Sequence, residues 1–142
     1  MPIYSILRLL RPQQWLKNGF VFLPVFFGQH LLELTYVWNA FAVFFAFCFA
    51  ASGIYCLNDI CDAEADRKHA KKRLRPIASG AISKSAGYII MAACWCIAFC
   101  IPIAVDTRDT QKTLSVCAIV LIYIVMNIAY CLKLKRIRSE ER

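Results

Sequence analysis

Long apolar runs alternate with short polar breaks along the whole chain. The runs Val37–Leu57, VWNAFAVFFAFCFAASGIYCL, and Thr113–Leu132, TLSVCAIVLIYIVMNIAYCL, carry no charged side chain, and Ile82–Val105 carries only Lys84. A helix that crosses the hydrocarbon core of a bilayer needs about 20 mostly apolar residues. All three runs meet that length. A weaker fourth run, Gly19–Tyr36, begins GFVFLPVFFG and continues through Gln29, His30 and Glu33; Pro24 is expected to kink it. The pattern predicts an all-α, polytopic transmembrane bundle of about four spans joined by short polar loops, with residues 1–142 as a single transmembrane domain.

Composition sharpens this reading. The 142 residues are 60% hydrophobic and 18% charged, with a net charge of +8. An apolar, basic chain is either a nucleic-acid binder or a membrane protein. The bases sit in clusters between apolar runs, with no basic stripe interleaved with aromatics, which excludes nucleic acid as a partner. Arg8, Arg11 and Lys17 precede the first run. Arg67, Lys68, Lys71, Lys72, Arg73 and Arg75 lie between the second and third, with Lys84 at the start of the third, and Lys133, Lys135, Arg136 and Arg138 follow the last. Cytoplasmic loops carry the excess of lysine and arginine. Both termini and the charged loop are therefore expected on the cytoplasmic side of a multi-pass protein of the plasma (inner) membrane. The start of the chain does not read as a cleaved leader, because Trp15, Lys17 and Asn18 interrupt it and no small-residue cleavage site follows. The eight cysteines form no CxxC pair and are expected to be idle helix filler. Asn39, Ser52 and Asn127 are expected to hydrogen-bond between helices. Trp15, Tyr36, Trp38 and Tyr55 suit interfacial belts, and Trp95 suits a packed or lipid-facing position.

The chemistry concentrates where the second run ends, in NDICDAEADRKHAKKRLRPIASG, Asn58–Gly80. On a helix turning about 100° per residue, and with Asp59 at 0°, Asn58 falls near −100°, Asp62 near −60° and Asp66 near −20°; Glu64 falls near 140°, on the other side. The spacing N-D-x-x-D-x-x-x-D therefore builds one oxygen-rich stripe. Carboxylates so close repel unless a partner neutralises them. Mg²⁺ takes oxygen ligands and is usually held by one or two carboxylates plus substrate phosphates. The basic run that follows supplies donors for phosphate oxygens. Pro76 and Gly80 break the chain, and Ser79 or Ser83 can cap the next helix. A solvated helix end and a lipid-binding loop are the plainer readings of the two halves. Their succession favours a Mg²⁺–diphosphate site at the membrane surface.

This motif resembles the first aspartate-rich motif of the UbiA superfamily of intramembrane prenyltransferases. LRPQQWLKN at Leu10–Asn18 and YCLKLKRI at Tyr130–Ile137 extend the likeness over nearly the whole chain, closest to the decaprenyl-phosphate phosphoribosyltransferases and their polyprenyl-phosphate relatives. The resemblance implies an all-helical bundle around a polar cavity, where two aspartate-rich motifs hold Mg²⁺ and a substrate diphosphate. It implies that Asn58, Asp59, Asp62 and Asp66 hold the metal, with Asp62 and Asp66 central to catalysis. Lys72, Arg73 and Arg75 would hold phosphates, and Arg11, Lys17 and Asn18 would meet a lipid or sugar phosphate. The implied reaction moves a phosphoribosyl group from 5-phosphoribosyl diphosphate to a polyprenyl phosphate and releases pyrophosphate. Prenyl transfer from a polyprenyl diphosphate to an aromatic acceptor would use the same half-site. The implied partners are thus a membrane lipid substrate and a diphosphate-bearing co-substrate. No second aspartate motif follows Lys135, so the resemblance also implies an N-terminal half of the family's bundle. A fragment of an enzyme, one piece of a split enzyme that associates with itself or with a missing C-terminal half, and a non-catalytic membrane fragment are all compatible with that. A piece of a cation transporter is a further, different reading of the acidic stripe.

Overall fold

The computed structural model describes residues 3–105 and 109–131, and all the regular structure among them is helical. Helix α1, Ile3–Leu10, stops at Arg11, whose φ of 53° and ψ of 56° are left-handed. A 3₁₀ segment, Pro12–Phe22, leads into the short helix α2, Leu23–Phe27. Helix α3, Leu34–Lys68, is the longest element. A 3₁₀ turn at Lys72–Leu74 precedes α4, Lys84–Val105, and α5 spans Thr110–Ala129.

Among the described residues three helices, α3, α4 and α5, are long and apolar enough to cross a membrane. They hold Val37–Leu57, Lys84–Val105 and Thr113–Ala129 of the three strong runs. The weak run Gly19–Tyr36 differs from expectation: it is not one helix but the end of the 3₁₀ segment, α2, a turn and the start of α3. Local chemistry explains the break. Pro24 sits in the first turn of α2, Gly28 closes that helix, and Gln29 takes a positive φ of 60°. The basic residues after Cys131, and most of the YCLKLKRI stretch, lie outside the described residues.

Helix α3 is the axis of the bundle. Its 35 residues rise about 52 Å at about 1.5 Å per residue, well beyond the roughly 30 Å hydrocarbon core. The uncharged run to Leu57 is by itself long enough to fill that core, which leaves Asn58–Lys68 as further helix beyond it. Ala42, Ala46 and Ala50 give α3 a flat seam, and the Trp95 indole of α4 lies against Gly53 while its Nε1–H donates to the Ala50 carbonyl at 3.4 Å. Small residues let membrane helices approach this closely. Trp95 thus takes the packed position.

Two apolar clusters follow. Ala46, Ala50 and Ile54 pack with Ala98, Val120 and Ile124 at membrane depth. Leu9, Cys56, Ile60 and Ala63 pack with Ile77 and Ile82 below the charged end. The second cluster ties α1 and the loop after α3 to α3 itself. Ser83 caps α4 by accepting from the Ala86 N–H at 3.2 Å. Asp109 caps α5, accepting from the Lys112 N–H at 3.1 Å. The Lys112 side chain, hydrogen-bonded to Asp109, and that N–H hold the Asp109 carboxyl below its ordinary range.

Candidate functional site

The site grows from one face of α3 at the end that leaves the apolar run. At about 100° per residue, Ser52, Tyr55, Asp59, Asp62 and Asp66 fall within an arc of about 80°. Asp59 and Asp66 are 1% and 3% exposed, Asn58 and Asp62 are half-buried, and Glu64 is exposed. Glu64 turns away to Arg67 Nη1 at 3.1 Å and Lys84 Nζ at 3.0 Å.

Two arginines from distant parts of the chain meet the buried carboxylates. Arg11 Nη2 donates to Asp59 Oδ1 at 2.6 Å. Arg75 Nη1 donates to Asp66 Oδ2 at 2.7 Å and lies 3.4 Å from Asp59 Oδ1. The order Arg11–Asp59–Arg75–Asp66 is an alternating chain of charge. It answers the repulsion that the acidic spacing creates, because like charges at this depth need opposite partners.

Arg11 is held with unusual care. The left-handed backbone costs a non-glycine residue about 1–2 kcal/mol. Its guanidinium carbon lies 4.9 Å from the Tyr55 ring centre, a cation–π arrangement. The neighbouring carbonyl of Leu10 accepts from Ser52 Oγ at 2.8 Å, and Ser52 Oγ in turn accepts from Trp15 Nε1 at 3.0 Å. Trp15 and Tyr55, which suited interfacial belts by sequence, are also engaged within the bundle, Trp15 through Ser52 and Tyr55 against the Arg11 guanidinium. Trp15 packs between α3 rings, 5.6 Å from Phe49 and 6.5 Å from Phe45.

Beside the charge chain opens a polar cavity of about 220 Å³, lined by Arg8, Arg11, Gln13, Gln14, Asp59, Arg75 and Pro76. Three guanidiniums against one lining carboxylate favour an anion there. The other sequence-derived residues fall elsewhere. Lys17 is exposed, and Asn18 Nδ2 donates to Cys48 Sγ at 3.4 Å, a longer reach suited to sulfur. Lys72 and Arg73 are exposed on the 3₁₀ turn, and among the described residues neither side chain makes an ion pair. Arg8, Gln13, Gln14, Ser52 and Tyr55 were not singled out by the acidic motif. The signal that finds the last two is the continuation of its i, i+3, i+7 spacing two turns back into the span.

The donor set suits a hard cation in its chemistry, being all oxygen. Asp59 Oδ2 is buried without a hydrogen-bond partner, the kind of oxygen a cation or donor would satisfy. No group of three or more His, Cys, Asp or Glu side chains among the described residues is gathered tightly enough to hold a metal alone. A cation at this face would share its ligands with a phosphate-bearing molecule.

The sequence matches the UbiA prenyltransferase family over residues 17–139. It is 34% identical over 137 residues to the decaprenyl-phosphate phosphoribosyltransferase of Mycolicibacterium smegmatis, covering 94% of this chain and 41% of that protein. It is 35% identical over 130 residues to the enzyme of the same name from Corynebacterium glutamicum, covering 89% and 37%. It is 42% identical over 90 residues to nodulation protein NoeC of Azorhizobium caulinodans, covering 61% and 28%. The chain thus spans well under half the length of these curated relatives. Three membrane-length helices and a family match across most of the sequence make this an integral membrane protein, and the chain belongs to the UbiA prenyltransferase family.

Proposed function

We propose that this chain carries one half-site of a UbiA-type transferase, which moves a phosphoribosyl group from 5-phosphoribosyl diphosphate to a polyprenyl phosphate. The observation that carries the reading is the convergence of Arg11 and Arg75 on Asp59 and Asp66, beside a polar cavity at the exit of α3. The bond from ribose C1 to the pyrophosphate oxygen breaks, and the pyrophosphate keeps the electron pair. A bond from C1 to the lipid phosphate oxygen forms. Asn58, Asp62 and Asp66, with the unpartnered oxygen of Asp59, would hold Mg²⁺ beside the diphosphate. Bound there, the ion would neutralise charge on the leaving pyrophosphate. Arg11 and Arg75 orient phosphate oxygens, and Lys72 and Arg73 attract the anion from the aqueous side. The half-site faces the cytoplasm in this reading, with both termini on that side of the plasma membrane, in keeping with the lysine and arginine distribution.

Binding of 5-phosphoribosyl diphosphate to the chain in lipid nanodiscs, with and without Mg²⁺, tests the proposal. Asp62→Ala should weaken Mg²⁺-dependent binding at least about tenfold, whereas Glu64→Ala, on the opposite face, should change it less than about twofold. Equal losses in the two variants would refute it. Tighter binding of a polyprenyl diphosphate than of the ribosyl compound would move the reading to prenyl transfer.

A further inference from the structure

A buried serine in the middle of a helix ordinarily bonds back to a carbonyl of its own preceding turn. Ser52 does not. Its hydroxyl is fully buried and reaches out of α3 to the Leu10 carbonyl, 42 positions earlier, while accepting from Trp15 Nε1. Both bonds fall on the segment that flanks the left-handed Arg11. The same face of α3 grips the rest of that residue: Tyr55 lies under the guanidinium and Asp59 takes its charge. Backbone, plane and charge of Arg11 are thus each held by one side chain of the stripe.

We propose that Ser52 is a positioning residue for Arg11. With Trp15, it locks the Leu10–Arg11 turn so that the guanidinium stands in the polar cavity, ready for an anionic phosphate oxygen. The inference rests on the functional reading above. It goes further in assigning anion affinity at the membrane surface to a hydroxyl that is neither charged nor in the cavity wall. Without the hydroxyl, Leu10 O and Trp15 Nε1–H lose their shared partner, and the strained turn relaxes to ordinary backbone. The guanidinium would then swing away from the cavity while α3 stays intact.

The test is a double-mutant cycle on binding of inorganic pyrophosphate in excess Mg²⁺ to the chain in nanodiscs. Arg11→Ala and Ser52→Ala are each expected to weaken binding about tenfold, and the double variant about tenfold as well, since no positioned guanidinium remains to lose. Multiplying losses, or wild-type affinity in Ser52→Ala beside a weakened Arg11→Ala, would overturn the positioning role and leave the functional reading standing. Wild-type affinity in Arg11→Ala, or no binding by the wild-type chain, would overturn both. Should Ser52→Ala fail to fold, Trp15→Phe removes one N–H donor and keeps the ring. It should weaken binding about threefold, and only where Arg11 is present; an equal loss in the Arg11→Ala background would sink the proposal.

Discussion

Arg75 is the side chain whose loss should tell most about how this membrane-surface site is held together. Its Nη1 bridges Asp66 Oδ2 at 2.7 Å and Asp59 Oδ1 at 3.4 Å. The two carboxylates are 4% and 1% exposed in their side chains, against 27% for the arginine. At an effective dielectric of about 20, unit charges about 3 Å apart attract by roughly 5 kcal/mol. Desolvation offsets much of that in the intact pair. The offset vanishes when only one partner is removed, because the remaining charge stays buried. Arg75→Gln should therefore destabilise the protein by about 3–5 kcal/mol. Most of the cost falls on Asp66, since Asp59 keeps Arg11 at 2.6 Å. Adding Asp66→Asn should recover about 2 kcal/mol or more, giving a strong positive coupling. Reversible unfolding in mixed detergent micelles, followed by helical circular dichroism, measures all three variants. An Arg75→Gln protein within about 0.5 kcal/mol of wild type, the range of an ordinary surface change, would refute the buried charge chain.

Two further outcomes are expected. Gly53→Ala places a methyl on the Trp95 indole, so α4 must back away, with a loss of about 1–3 kcal/mol typical of overpacking and a shift in Trp95 fluorescence; unchanged emission and stability would contradict the close approach. The Asp109 carboxyl is held below its ordinary range by the Lys112 side chain and N–H, so its cap is fully present above the unfolded carboxyl's pKa and is lost as pH falls through the lower folded value. Thermal midpoints of wild type minus Asp109→Asn should therefore shrink on acidification, and a difference that grows instead would remove the cap from the account.

Much of the site was legible in the chain, and the limits are instructive. The spacing of Asp59, Asp62 and Asp66 was enough to set them on one face and Glu64 on the other, because α3 continues unbroken past the apolar run. The same spacing extended back to Tyr55 and Ser52, yet those residues looked like ordinary span contents until Arg11 arrived from 48 positions away. Arg11, Lys17 and Asn18 read as one cluster because they are neighbours in sequence. The left-handed turn and the 3₁₀ segment separate them, sending Arg11 to Asp59 and Asn18 to Cys48. Arg75 read as a phosphate donor alongside Lys72 and Arg73. The turn at Pro76 brings it back over α3, while the other two stay in solvent.

The sequence by itself determined the three long helices, because a bilayer leaves an apolar run few ways to satisfy its backbone other than by coiling, and it determined that acid and base would gather at one end of α3. Only the tertiary structure decided which acid meets which base. Local periodicity aims a side chain around its own helix, but it says nothing about a partner brought in by a turn elsewhere in the chain. That choice falls to the packing of Leu9, Ile77 and Ile82 against Cys56, Ile60 and Ala63, which seats α1 and the basic loop on either side of the aspartates.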